Sequence, residues 1–209
     1  DNSRGKPEAW YIIDAKEDAT IEFGHAARNK EELRELVEAG KWDQLLTYVN
    51  PKQGDFLYVA DGVMHALGEG MLTYEVSKNA DLTYRVYDYD RVDVKTGRKR
   101  ELHLQKSLDV LKAPVCEQGL VHPQPKQYEN YQVTTYYDEP MIFTFRRLET
   151  FNKASYQEQS FWFFFVVNGE GTVDNHTVKK GDTWFVPLGH GPVTINGNFD
   201  MLVTTYREQ

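Results

Sequence analysis

Gly54-Asp55-Phe56-Leu57-Tyr58-Val59-Ala60-Asp61-Gly62-Val63-Met64-His65 is the stretch on which the fold turns. A short apolar run leads into Asp61-Gly62, a dipeptide suited to a tight turn because glycine tolerates left-handed backbone. The expectation is two short strands joined at that turn, the second presenting His65 to whatever the sheet encloses. The template returns at residues 181–192 as Gly-Asp-Thr-Trp-Phe-Val-Pro-Leu-Gly-His-Gly-Pro, with Pro192 in the place of His65. One copy reads as chemically equipped and the other as structural.

Downstream of His65, Glu75 lies in an alternating run, and residues 84–91 read Tyr-Arg-Val-Tyr-Asp-Tyr-Asp-Arg. A metal-capable imidazole beside guanidinium groups suits a small phosphorylated or carboxylated substrate. Each residue also has a plainer reading. His65 could be a structural histidine behind a turn, and Glu8 an exposed carboxylate. Arg85 and Arg91 could pair with Asp88 and Asp90 on a sheet surface, and the alternation of Leu72, Tyr74 and Val76 could turn Glu75 to solvent.

Composition narrows the class. At 209 residues the chain can bury one large or two small cores, and its 13 Tyr, 11 Phe and 4 Trp favour sheet. The longest apolar run, 161–167, has the length of a strand and not of a membrane span. Cys116 is the single cysteine, so no disulfide can form within the chain, and a reducing, cytoplasmic setting is expected. Cys116 has no base nearby in sequence and is not read as a nucleophile. The net charge of −8 leaves no basic stripe to displace counterions, which argues against a nucleic-acid partner. Lys95, Arg98, Lys99 and Arg100 read as a solvated hairpin tip.

The periodicities divide the chain. Residues 9–14 read as a buried strand, with 20–23 as its partner across a turn. Asn29 and Glu32 have capping-box spacing, Leu33, Leu36 and Val37 form one helical face, and Gly40 stops it. A second short helix is expected over 42–48, strand from 55 to about 89, and a helix over 102–112. Residues 113–127, with Pro114, Pro123 and Pro125, read as a connector. Beyond it seven short strands are expected, at 131–137, 141–148, 160–167, 171–173, 183–186, 193–195 and 201–206. The fold class is therefore mostly β: two tandem β units, 1–112 with a helical insertion near 28–49, and 128–209. His25, His103, His122 and His176 read as surface or loop residues, and His190 sits in the degenerate repeat.

The spacing from Gly54 to His65 resembles the second motif of the cupin barrels, so the two units are expected to be cupin-like β-barrels. A closer resemblance is to the short bacterial form of type I phosphomannose isomerase. It is carried by Gly5-Lys6-Pro7-Glu8-Ala9-Trp10-Tyr11-Ile12-Ile13-Asp14, by residues 54–75, by Asp81 through Arg91, and by Arg100-Glu101-Leu102-His103-Leu104. That resemblance implies an enzyme interconverting mannose 6-phosphate and fructose 6-phosphate. It implies Zn2+ bound by Glu8 and His65, a catalytic Arg85, a pocket-facing carboxylate at Glu75, and cations Lys6 and Arg91 near the substrate. The proton-transferring base stays open between Glu75, Lys6 and a histidine upstream of this chain.

One departure matters. The family takes a Gln-x-His pair from upstream of the Gly-Lys-x-Glu motif, where this chain has seven residues before Glu8. The resemblance therefore implies a C-terminal portion that would be inactive alone. Ala60 for proline and Ser77-Lys78 for polar amides are smaller departures. The alternative is a non-catalytic two-cupin module binding a sugar phosphate. An iron cupin oxygenase would need more clustered histidines than these scattered six.

Overall fold

The computed structural model describes residues 5–80, 82–115 and 119–208. Its contacts divide into two compact units, Asp1–Leu120 and Val121–Gln209. Cys116 lies outside the described residues.

The first unit holds strands β1 (Glu8–Ala15), β2 (Ile21–His25), β3 (Leu46–Val49), β4 (Phe56–Val59), β5 (His65–Leu67) and β6 (Met71–Ser77), with helices α1 (Lys30–Glu38), α2 (Trp42–Leu45) and α3 (Leu104–Val110). They form two antiparallel three-stranded sheets, in the orders β4-β1-β6 and β3-β2-β5. Trp10, Ile12, Leu57 and Val59 from one and Ile21 and Phe23 from the other share a buried core. Burying each such side chain stabilises the fold by about 1.5–3 kcal/mol. A second cluster, with Leu33, Val37, Leu45 and Leu108, packs the helices.

Several expectations change here. The strands flanking Asp61-Gly62 are joined at the turn as expected but lie in different sheets. β4 pairs with β1, and β5 pairs with β2, so the turn carries the chain from one sheet to the other. Likewise 20–23 does not pair with 9–14; β2 instead lies between β3 and β5. The second helix stops at Leu45, and Leu46–Val49 become β3, because backbone pairing with β2 overrides the helical spacing of Leu45 and Leu46. Strand also ends at Ser77, and residues 84–91 form an irregular strap instead of a ladder. Asn29 caps α1 as expected, its side chain accepting from the Glu32 N–H at 2.9 Å. Glu32 reaches back one residue farther than a capping box, to the Arg28 N–H and guanidinium.

The second unit contains β7 (Lys126–Gln127), β8 (Tyr131–Glu139), β9 (Phe143–Thr150), β10 (Lys153–Tyr156), β11 (Trp162–Asn168), β12 (Glu170–Val173), β13 (His176–Lys179), β14 (Thr183–Val186), β15 (Val193–Asn196) and β16 (Asp200–Thr205). A six-stranded sheet, β14-β11-β16-β9-β8-β7, faces a four-stranded one, β10-β15-β12-β13. Between them lie Leu148, Trp162, Phe164, Met201 and Val203 from the larger sheet and Val173, Val178 and Ile195 from the smaller. β7, β10 and β13 were not expected; their runs, Lys-Gln, Lys-Ala-Ser-Tyr and His-Thr-Val-Lys, hold too few apolar residues to mark a strand. The protein is mostly β, and among the described residues no sheet closes on itself into a barrel. No described helix is long and apolar enough to cross a membrane.

Candidate active site

A cavity of about 870 Å³ opens in the first unit, bordered by the start of β1, the 60–66 turn, the 82–91 strap and α3. That volume lies within the range that holds small-molecule ligands. Two close approaches shape it. A Cβ on Gly5 would fall 2.2 Å from that of Asp61, so only glycine lets the segment before β1 press onto the turn. Gly62 has φ +78°, and its carbonyl accepts the Lys112 N–H at 2.9 Å, tying the turn to the end of α3.

Glu8 opens β1 opposite Val59 and is 8% exposed. Its Oε2 lies 3.6 Å from His65 Nε2, and its Oε1 lies 2.9 Å from Lys6 Nζ. His65 Nδ1 lies 2.8 Å from the Val63 carbonyl, which can only accept. Nδ1 therefore carries the proton, and Nε2 faces Glu8. Trp10 stands edge-on to the imidazole, 5.4 Å between ring centres, and fixes its plane. Burial opposes charge on Glu8, but its polar contacts with His65 and Lys6 outweigh it and lower the carboxyl below its usual value. Burial also opposes the His65 cation, and the nearby Glu8 carboxylate and the bond to Val63 overcome it, raising that pKa.

This donor pair fits two corners of a zinc site. A metal-bound histidine ordinarily donates its other ring N–H to a carbonyl or carboxylate, as His65 does to Val63. Among the described residues no group of three His, Cys, Asp or Glu is arranged to hold a metal.

The strap supplies the cations. Arg85 is held by two backbone links to His103: its N–H donates to His103 Nδ1 at 3.1 Å, and its carbonyl accepts the His103 N–H at 2.7 Å. Its guanidinium donates to the Glu101 carbonyl at 3.1 Å and pairs with no carboxylate among the described residues. Arg91 pairs with Asp88 at 2.6 Å, and Arg100 grips both oxygens of the same carboxylate. The bond from Arg100, ahead of the cost of burial, holds Asp88 far below the ordinary carboxylate range. Asp90 pairs with Lys99, not with Arg85. Tyr89 and Asp90 both have left-handed backbone, φ 53° and 55°. For non-glycine residues that costs roughly 1–2 kcal/mol each.

The Tyr89 hydroxyl donates to Glu22 of β2, which is 6% exposed and also borders the cavity. Burial raises the Glu22 carboxyl above its usual value, with the Tyr89 bond and His65 pulling the other way. Burial and Glu22 together raise the Tyr89 hydroxyl, so it remains a donor.

Known proteins share these features. The family model described as "Mannose-6-phosphate isomerase, cupin domain" matches residues 132–206. The mannose-6-phosphate isomerase ManA of Bacillus subtilis strain 168 is 41% identical over 206 residues, 96% of this chain and 64% of that protein. Over that span the chain is similar to a mannose-6-phosphate isomerase. It spans 64% of the length of that curated relative. The crystal structure of the mannose 6-phosphate isomerase from Bacillus subtilis superposes with a TM-score of 0.87 at 35% identity, covering 96% of this chain and 65% of its own. A mannose 6-phosphate isomerase bound with zinc and yttrium shares the fold at TM-score 0.74 and 14% identity, over 98% of this chain and 67% of its own.

Of the residues read from the sequence, the cavity gathers Lys6, Glu8, His65, Arg85 and Arg91. It does not gather Glu75. The register puts Glu75 opposite Trp10, but β6 is an edge strand and the side chain is exposed. His25 is not a surface residue: it is buried, and its Nε2 bonds the Lys112 carbonyl at 2.8 Å. His103 is not a bystander either, since it fixes the Arg85 backbone. Arg100, read as part of a solvated tip, lines the cavity and clamps Asp88. Glu22 was missed. The available signal was a lone carboxylate inside the apolar Ile-Glu-Phe run, whose alternation reads equally well as solvent exposure.

Proposed function

We propose that this protein is a zinc-dependent aldose–ketose isomerase that interconverts mannose 6-phosphate and fructose 6-phosphate. The observation that carries the reading is the convergence of Glu8, His65, Lys6, Arg85 and Arg91 on one cavity. The resident zinc would be held in part by Glu8 and His65. When bound, zinc supplies Lewis acidity that stabilises negative charge on a sugar oxygen. Lys6 orients the Glu8 carboxylate through their 2.9 Å pair. Moving a proton between neighbouring carbons builds charge on oxygen, and Arg85, fixed through His103 and with no carboxylate partner among the described residues, is placed to meet it. Arg91 holds the anionic phosphate end, where charge-assisted contacts orient the substrate. Of the shuttle candidates on this chain, Lys6 borders the cavity and Glu75 does not.

The same reading takes each unit as a cupin-like barrel, the first catalytic and the second degenerate, split as 1–112 and 128–209 by the 113–127 connector. It takes the partner as a small soluble sugar phosphate in the cytoplasm. A second reading, a sugar-phosphate binding module without catalysis, draws on the two-donor metal set among the described residues. Metal analysis and a coupled assay on mannose 6-phosphate with the full-length protein separate the two. Stoichiometric zinc with turnover supports the isomerase. Binding of the sugar phosphate without turnover supports the module.

A further inference from the structure

The strap that carries Arg85 and Arg91 has no ladder of its own, so something else must set its position over the cavity. Register places Glu22 opposite Ala66, one step from the Phe23–His65 pair. Phe23 points into the core, so Glu22 leaves β2 on the other face. There it meets the Tyr89 hydroxyl. The Tyr89 ring lies beneath the Arg91 guanidinium at 5.4 Å and tilts against Tyr87 at 4.8 Å, and Tyr87 stacks on Trp42 of α2 at 4.4 Å. Tyr89, which carries this hydroxyl, has left-handed backbone.

We propose that Glu22 and Tyr89 form a latch that positions Arg91 for the phosphate of the substrate. The inference rests on the sugar-phosphate reading of the cavity and adds to it a positioning residue outside the metal pair. The buried carboxylate accepts the tyrosine hydroxyl, the ring then lies against the guanidinium, and Asp88 accepts from the Nη2 of the same guanidinium. Glu22 acts through Tyr89 and does not itself touch the ligand.

The test uses the full-length protein with Glu22→Ala, Glu22→Gln, Tyr89→Phe and the double variant Glu22→Ala/Tyr89→Phe. Calorimetry reads the Kd for inorganic phosphate and for mannose 6-phosphate, and the coupled assay reads KM and kcat. Glu22→Ala and Tyr89→Phe should each raise Kd and KM about tenfold, the worth of one hydrogen bond, with kcat within about twofold. Glu22→Gln, whose amide oxygen still accepts from the hydroxyl, should restore affinity to within about twofold of the parent. The double variant should be no worse than either single, because both break one contact. Zinc content should not change in any of them.

A Glu22→Gln loss as large as that of Glu22→Ala would overturn the latch and assign Glu22 a direct charge contact. Unchanged phosphate affinity in Tyr89→Phe would overturn it too, as would additive losses. If Glu22→Ala does not fold, Tyr89→Phe and Glu22→Gln carry the same decision. A parent protein that binds neither phosphate nor sugar phosphate overturns both the latch and the reading beneath it. A parent that binds both, beside a Tyr89→Phe variant that binds as well, removes the latch alone.

Discussion

The turns at 54–65 and 181–192 have nearly the same backbone and opposite chemistry. Gly54 and Gly181 have φ +89° and +91°. The Asp55 carboxylate accepts the Lys52 N–H at 2.7 Å, and the Asp182 carboxylate accepts the Lys179 N–H at 2.9 Å. A 3.3 Å bond from Val63 to the Ala60 carbonyl closes the first turn, and one from His190 to the Pro187 carbonyl closes the second. The strand facing each turn also corresponds: Glu8 stands opposite Val59, and Trp162 stands opposite Val186. The metal-capable pair Glu8–His65 thus has Trp162 and Pro192 as its counterparts. Repetition of the backbone carries the fold, while two side chains decide whether the place is a site or a core.

The largest effect expected from breaking this contrast is in the first unit. Glu8→Ala or His65→Ala in the full-length protein should cut isomerase turnover by at least about a hundredfold, beyond what losing a supporting residue costs, with zinc falling in parallel by metal analysis. Next, Arg85→Ala should lower kcat on the order of 10²–10³-fold, as removal of a preorganised charge donor does, with unchanged zinc and thermal unfolding. At the matching place in the second unit, Trp162→Ala should cost about 3–5 kcal/mol in denaturant unfolding, because it empties the middle of a core without touching a ligand.

A smaller effect is expected at Asp88. Its carboxyl is depressed by Arg100 and Arg91, so its contribution to stability is complete above the ordinary value of 3.8 and is lost as pH falls below it. Asp88→Asn should therefore be less stable than the parent near neutrality, with the two converging in strong acid, as followed by thermal unfolding. Smallest of all, Pro192→His should add no zinc, because Trp162, 1% exposed, occupies the place of a second ligand.

How far the sequence could be read depended on how local the signal was. β14 spans residues 183–186, as the pattern of that stretch implies, and β1 differs from its expected range by one residue at each end. Alternation and turn residues act within a few positions, so they survive without partners. Leu46 shows the limit. Its helical spacing with Trp42 is real, but hydrogen bonds from β2 outweigh a short helix that cannot nucleate alone. Glu75 shows another, since its strand lies at a sheet edge and alternation alone does not say which face is enclosed.

Residue types and short spacings sufficed to announce a mostly β chain and a repeated turn, while the family resemblance singled out Glu8, His65, Arg85, Arg91 and Lys6, which line one cavity. Tertiary structure alone decided that the Asp61-Gly62 turn crosses between sheets, that His103 and Arg100 serve the arginine strap, and that Glu22 lies buried under Tyr89. The physical reason is distance along the chain. Tyr89 and Glu22 are 67 residues apart, and a contact of that span leaves no periodic mark on either side. It exists only once two sheets and a strap have closed around the same cavity.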